Sequence, residues 1–117
     1  MNNFDLDIIV PCYNPILGWE KDLCQNFLSF CNLFKEDNIR LILVNDGSVK
    51  NVSPLEINFL SNSIKNFIFI DSKKNKGKGS ALRIGVKKST AEMVIFTDID
   101  FPYTLKSMEN VYKSLCN

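Results

Sequence analysis

Four short apolar runs punctuate the chain at regular intervals: "LDIIVP" (6–11), "IRLILVN" (39–45), "NFIFID" (66–71) and "EMVIFTD" (92–98). Each is rich in β-branched residues and almost continuous instead of alternating, which is how parallel strands covered on both faces read. The segments between them have helical period. Trp19, Leu23, Phe27, Phe30 and Phe34 follow steps of three or four and make one apolar stripe, with Glu20, Lys21 and Gln25 pointing away. "SPLE" (53–56) is a capping box with proline at the first helical position, so a helix starts there and runs toward Asn62. Ala81, Leu82, Gly85, Val86 and Ser89 make a third face, with Gly85 placed to allow close approach to a sheet. Beyond Pro102, Thr104 is positioned to cap a fourth helix whose inner side carries Leu105, Met108, Tyr112 and Leu115.

Strand and helix alternating four times predict an α/β fold with a parallel sheet and right-handed crossovers, in one domain spanning 1–117. The consequence is positional. All strand-to-helix loops of such a sheet emerge at one edge, where ligands bind outside the carboxyl ends of the strands. Those loops are "PCYNP" (11–15), "NDGS" (45–48), "KKNKGKGS" (73–80) and "DIDFPY" (98–103), all carrying polar residues that a plain turn does not need. The opposite loops, "KEDN" and "STAE", read as ordinary solvated turns.

Composition narrows the chemistry. Fourteen basic and thirteen acidic residues leave a net charge of +1, so no whole-molecule field argues for nucleic acid or an anionic membrane. There is no histidine, and the four cysteines form no C-x-x-C pair, which removes a zinc site or a histidine-based triad. Cys12, Cys24, Cys31 and Cys116 are expected to be buried, reduced thiols in a cytosolic protein. The N-terminus has acids where a signal peptide needs bases, and no apolar run reaches the ~18 residues of a membrane span. Lysine outnumbers arginine twelve to two, the composition of an AT-rich, bacterial coding sequence.

The loops carry the candidate chemistry. On an extended segment Asp98 and Asp100 project to one side and Ile99 to the other. Two carboxylates ~4 Å apart repel by about 4 kcal/mol at an effective dielectric near 20. A divalent cation, Mg²⁺ or Mn²⁺, relieves that repulsion and takes its remaining ligands from water and phosphate. The plainer alternative is two solvated acids, one of them capping the next helix. "KKNKGKGS" sets Lys73, Lys74, Lys76 and Lys78 around Gly77 and Gly79 before a helix, where backbone N–H groups meet an anion such as phosphate. It is neither a Walker loop nor a dinucleotide fingerprint, because the glycine spacing is wrong and the loop follows the third strand. A solvated basic turn is its alternative. Asp46 is an acceptor for a nucleobase N–H or a ribose hydroxyl, or else an Asx-turn residue. Tyr13 is a flat surface for a base or sugar, or else a core tyrosine. Taken together, these features describe a nucleoside diphosphate site.

"IIVPCYN", "LVNDGS", "NKGKGSALRIGV" and "VIFTDIDFPY", in this order, resemble glycosyltransferase family 2, the nucleotide-diphospho-sugar transferases of Rossmann-like GT-A fold. The tail "TDIDFPY" is similar to enzymes that load a sugar onto dolichyl or other polyprenyl phosphates. The resemblance implies that Pro11, Tyr13, Asn14 and Asp46 hold the nucleobase and ribose, and that Gly77 and Lys78 border the nucleotide. It implies that Asp98 touches ribose or sugar and Asp100 binds the metal, Mg²⁺ or Mn²⁺, that bridges the diphosphate. Many relatives have a glutamate where Pro15 stands, and Ile99 occupies the place of a smaller residue, crowding the ribose.

The implied reaction is inverting transfer from a UDP- or GDP-sugar to a glycan or a polyprenyl phosphate, in the cytoplasm or at the inner face of the membrane. Family members are longer, so the expectation is a truncated, donor-binding N-terminal part that lacks the acceptor site and the general base. Two other readings stand beside this one. "VIFTDIDFPYT" also resembles the D-x-D-x-T/V motif of haloacid-dehalogenase-type phosphatases, although Pro102 replaces its threonine. The other is a non-catalytic nucleotide-binding module.

Overall fold

The computed structural model describes residues 3–99 and 105–116. Strands and helices alternate as β1 (Leu6–Cys12), α1 (Trp19–Leu33), β2 (Ile39–Asn45), α2 (Pro54–Ser63), β3 (Phe67–Asp71), α3 (Lys78–Lys88), β4 (Met93–Phe96) and α4 (Leu105–Cys116). The strands form one sheet in the order β3-β2-β1-β4, with every pairing parallel. Leu6 of β1 stands beside Ile39 of β2 on one flank and Met93 of β4 on the other.

Strand parity distributes the core. Leu6, Ile8, Val10 and Cys12 face the same side as Leu41 and Leu43, where they meet Trp19, Leu23, Phe27 and Phe30 of α1, Leu60 of α2, and Met108 and Tyr112 of α4. Ile9, Ile42 and Val44 point the other way and are covered by Ala81, Leu82 and Ile84 of α3. Gly85 brings α3 close, as its place in the sequence predicts: a Cβ there would lie 2.5 Å from Ile9 Cγ2.

The central strands are therefore buried on both faces, whereas β3 and β4 are mostly half-buried. They are the outer strands of the described sheet, and a continuous apolar run does not distinguish an inner strand from an outer one.

The capping box forms as read from sequence. Ser53 Oγ accepts from the Leu55 N–H at 3.3 Å, and Glu56 Oε1 accepts from the Ser53 N–H at 2.7 Å. Two side chains assigned to inner helix faces turn out exposed, Val86 and Leu115. Val86 lies beyond the narrow stripe of α3 that Ala81 and Gly85 press on the sheet, and Leu115 lies in the last turn, past the contact that Tyr112 makes with Phe30 and Phe34. The proposed Thr104 cap lies outside the described residues.

The edge that carries the amino ends of the strands is less ordinary than its loops suggest. Asp7 is fully buried there and accepts two hydrogen bonds from the Arg40 guanidinium at 2.8 and 2.9 Å. Its Oδ2 also accepts from Ser89 Oγ at 2.6 Å and from the N–H groups of Thr90 and Ala91. The "STAE" turn is thus a cradle for a buried carboxylate, a correction to its reading as a plain solvated turn.

Candidate functional site

Because α3 lies on one face and α1, α2 and α4 on the other, the strand order reverses direction between β1 and β4. The carboxyl ends of these strands and the loops that follow them border a crevice. A pocket of about 330 Å³ opens there, lined by Pro11, Cys12, Tyr13, Asp46, Asn75, Gly77, Lys78, Asp98 and Ile99. Seven of the nine residues that the sequence assigned to a nucleotide or metal are thereby brought together. Tyr13 is 54% exposed, a free aromatic face and not a core residue.

Asp46 is the hinge of the site. It is only 4% exposed, and its two carboxylate oxygens accept from the backbone N–H groups of Lys76 at 2.9 Å and Gly77 at 3.0 Å. Gly47 comes next with φ 72°, and a Cβ on it would come within 2.4 Å of the Asn75 backbone nitrogen. The β2–α2 and β3–α3 loops are therefore interlocked, backbone against backbone. Two N–H groups of the loop that the sequence offers to a phosphate, those of Lys76 and Gly77, serve the Asp46 carboxylate. A carboxylate has about four acceptor positions, so Asp46 keeps acceptor capacity toward the pocket.

The first N–H groups of any helix lack an intrahelical acceptor, and Gly77, which caps α3 at φ 96°, offers them no side chain. Lys78, the first residue of α3, reaches across the crevice to pair with Asp98 Oδ1. Both partners are open to solvent, with side chains 61% and 47% exposed.

β4 ends at Phe96, two residues before Asp98, so strand alternation does not extend to this loop. Asp98 and Ile99 accordingly line the same pocket instead of opposite sides. Ile99 also packs on the main core, which fixes a bulky side chain at the pocket wall. Asp100 lies outside the described residues.

Asn14 is placed elsewhere. With φ 43° it donates its N–H to Ser48 Oγ at 2.9 Å and accepts from the Val49 N–H at 2.8 Å. The Pro15 carbonyl accepts from Asn51 Nδ2, and Trp19 Nε1 donates to the Asn51 carbonyl. These bonds zip the first two loops together, and Asn14 faces a neighbouring groove with Pro15, Ile16 and Trp19. In the structure its visible work is to shape the loop that presents Tyr13.

Two pocket residues carry no signal that singles them out in the sequence. Asn75 lies inside the basic glycine loop, just before K-G-K, and is inconspicuous among its charged neighbours. Cys12 is the last residue of β1, and burial pushes its thiol up to about 12, so it serves as wall and not as nucleophile. Among the described residues no group of three or more His, Cys, Asp or Glu side chains is placed to hold a metal. The hard carboxylate oxygens of Asp98 suit Mg²⁺ or Mn²⁺ as part of a shell completed by water and phosphate.

A family model described as "Glycosyl transferase family 2" matches residues 7–117. The chain belongs to this family. Poly-beta-1,6-N-acetyl-D-glucosamine synthase of Staphylococcus aureus (strain MSSA476) is 32% identical over 95 residues, 81% of this chain and 21% of the relative. The Staphylococcus epidermidis protein of that name is 30% identical over the same length. The chain thus spans about a fifth of the length of the curated relatives it matches. Among solved structures, S. aureus TarS superposes with TM-score 0.59 at 23% identity, over 82% of this chain and 27% of TarS. The mannosyltransferase PcManGT from Pyrobaculum calidifontis, in complex with GDP-Man and Mn²⁺, gives 0.61 at 21% identity, over 85% and 28%. These likenesses establish the Rossmann-like GT-A fold for the described sheet and helices.

Proposed function

We propose that this chain is the donor-binding part of an inverting glycosyltransferase, holding a nucleoside diphosphate sugar in the crevice between β1 and β4. The observation that carries the reading is the meeting of Lys78 and Asp98 beside Asp46 and Tyr13 in one pocket, within a family 2 chain. Tyr13 supplies a stacking face for base or sugar. Pro11 and Asp46 border the nucleoside, and Gly77 and Lys78 lie where the diphosphate carries its charge. Asp98 and, from the sequence, Asp100 would hold the metal, Mg²⁺ or Mn²⁺, which would supply positive charge to offset that of the departing diphosphate. GDP-Man and Mn²⁺ in the fold neighbour support that choice of donor class and ion.

The acceptor is a glycan or a polyprenyl phosphate. The synthase relatives, named for a polymer of N-acetylglucosamine, favour the former; the similarity of "TDIDFPY" to polyprenyl-phosphate enzymes favours the latter. A phosphate acceptor is already an anion and needs no general base, whereas a hydroxyl does. We assign the base and the acceptor site to sequence of the kind that makes the relatives longer, and place the reaction on the cytoplasmic side. Family membership favours transfer over the phosphatase alternative.

Calorimetric titration with UDP, GDP and their sugars, with Mn²⁺ or with chelator, tests the reading. Nucleotide is expected to bind weakly, metal to strengthen binding, and Asp100→Ala to abolish the metal effect without altering the fold. No binding at millimolar nucleotide, or metal-independent hydrolysis of small phosphate esters, overturns it.

A further inference from the structure

We propose that Lys78 is the resident counter-cation of Asp98, so that the site resists a bare divalent ion and admits one together with a nucleoside diphosphate. This rests on the donor-binding reading above.

Among the described residues two acids line the pocket, and they are not equivalent. Asp46 is buried, and each of its oxygens accepts a backbone N–H from the neighbouring loop. Asp98 is half exposed, and its partner is an ammonium on a flexible four-carbon stem, itself mostly in solvent. A bare cation arriving at Asp98 must either displace that ammonium or share one carboxylate with it, and like charges at such range repel. A nucleoside diphosphate changes the balance. Its phosphate oxygens offer the lysine a second anion close to the helix end from which Lys78 springs, which frees Asp98 for the ion that the diphosphate brings. By linkage, whatever nucleotide does to metal affinity, metal does equally to nucleotide affinity. The lysine thereby makes the two ligands cooperative without any movement of the fold.

The exchange is shallow enough to be reversible. An exposed pair is worth up to about 1 kcal/mol, equivalent to about five-fold in affinity.

The test is titration of the whole chain with Mn²⁺ alone, following free Mn²⁺ by electron paramagnetic resonance. Lys78→Ala is expected to tighten Mn²⁺ binding about five-fold. Lys76→Ala removes an equal charge from the same loop but no partner of Asp98, and should change affinity less than about two-fold. In an Asp98→Asn background Lys78→Ala should leave Mn²⁺ affinity as it is in Asp98→Asn alone, which ties the gain to that carboxylate. Thermal midpoints within a degree or so of the parent confirm that these exposed substitutions leave the fold alone. The proposal is overturned if Lys78→Ala leaves Mn²⁺ affinity unchanged, if Lys76→Ala tightens it equally, or if the gain survives Asp98→Asn. Failure of the parent to bind any nucleotide sinks the donor-binding reading instead, whatever the lysine does to Mn²⁺.

Discussion

Asp46 and Asp7 are the two buried carboxylates on which most depends, and they sit at opposite ends of the sheet. Asp46 ties the β3–α3 loop to the β2–α2 loop through Lys76 and Gly77. Replacing it with alanine removes two hydrogen bonds to a carboxylate, worth about 1.5–3 kcal/mol each before water takes its place. We expect Asp46→Ala to release the loop, and with it Lys78, so that nucleotide affinity falls at least ten-fold. Asp46→Asn retains one acceptor oxygen and should lose less. Equal nucleotide affinity in Asp46→Ala and the parent, by calorimetry, rules the tether out.

Asp7 is a matter of stability. Burial alone would raise its pKa, but the hydrogen bonds from Arg40 and Ser89, the Arg40 charge and the Thr90 N–H outweigh burial and hold it below the ordinary carboxylate range. A depressed folded-state pKa means stability that is fully present above the unfolded value, near 4, and lost as pH falls through it toward the folded value. Urea midpoints of the parent should therefore drop between about pH 5 and pH 3. Asp7→Asn removes the charge that Arg40 was buried against and should cost about 3 kcal/mol at neutral pH, with a flatter acid limb. A variant as stable as the parent at pH 7 contradicts this account.

Elements meet through glycines that do different jobs. Gly47 combines a left-handed φ of 72° with a backbone wall at 2.4 Å, so alanine there meets both strain and collision. Gly77 has φ 96° but open space around its missing Cβ, so alanine there carries strain alone, about 1–2 kcal/mol. Gly85 has ordinary helical geometry but faces Ile9 at 2.5 Å, and alanine would push α3 off the sheet at about 1–3 kcal/mol. Denaturation of the three variants should rank Gly47→Ala as the most damaging. If Gly77→Ala costs as much as Gly47→Ala, the interlocked loops are not what holds this edge.

Across the molecule, thiol chemistry reports how the layers close. Cys12 and Cys24 are buried, Cys31 is half-buried with its thiol pushed up to about 11 by burial, and Cys116 at the end of α4 is exposed. The expectation of four buried thiols therefore holds at Cys12 and Cys24, only in part at Cys31, and fails at Cys116, where the last helical turn runs past the core. An alkylating reagent at pH 8 should label Cys116 first, with Cys12 and Cys24 modified only after unfolding, as peptide mass spectrometry would record. Native labelling of Cys12 would mean that the crevice opens more widely than its walls indicate.

The α/β alternation, the capping box at Ser53 and the grouping of four functional loops were legible from local pattern, because periodicity, caps and turn residues act within a few positions of themselves. So was the candidate site, in outline, since a parallel sheet sends every strand-to-helix loop to one edge. Pairings over long sequence separations were not legible. Nothing near Asp7 in the chain announces Arg40 or Ser89, nothing near Asp46 announces Lys76 and Gly77, and nothing in "TDID" says that the strand stops at Phe96 and turns Ile99 into the pocket. Those are decided by strand order and register, which bring residues thirty to eighty positions apart into hydrogen-bond range, as the Asp46–Lys76 and Asp7–Ser89 contacts do. The chain's own pattern specified which residues would be available at the ligand edge. The packing of α3 against β1 and β2 specified which of them hold one another and which remain for a ligand.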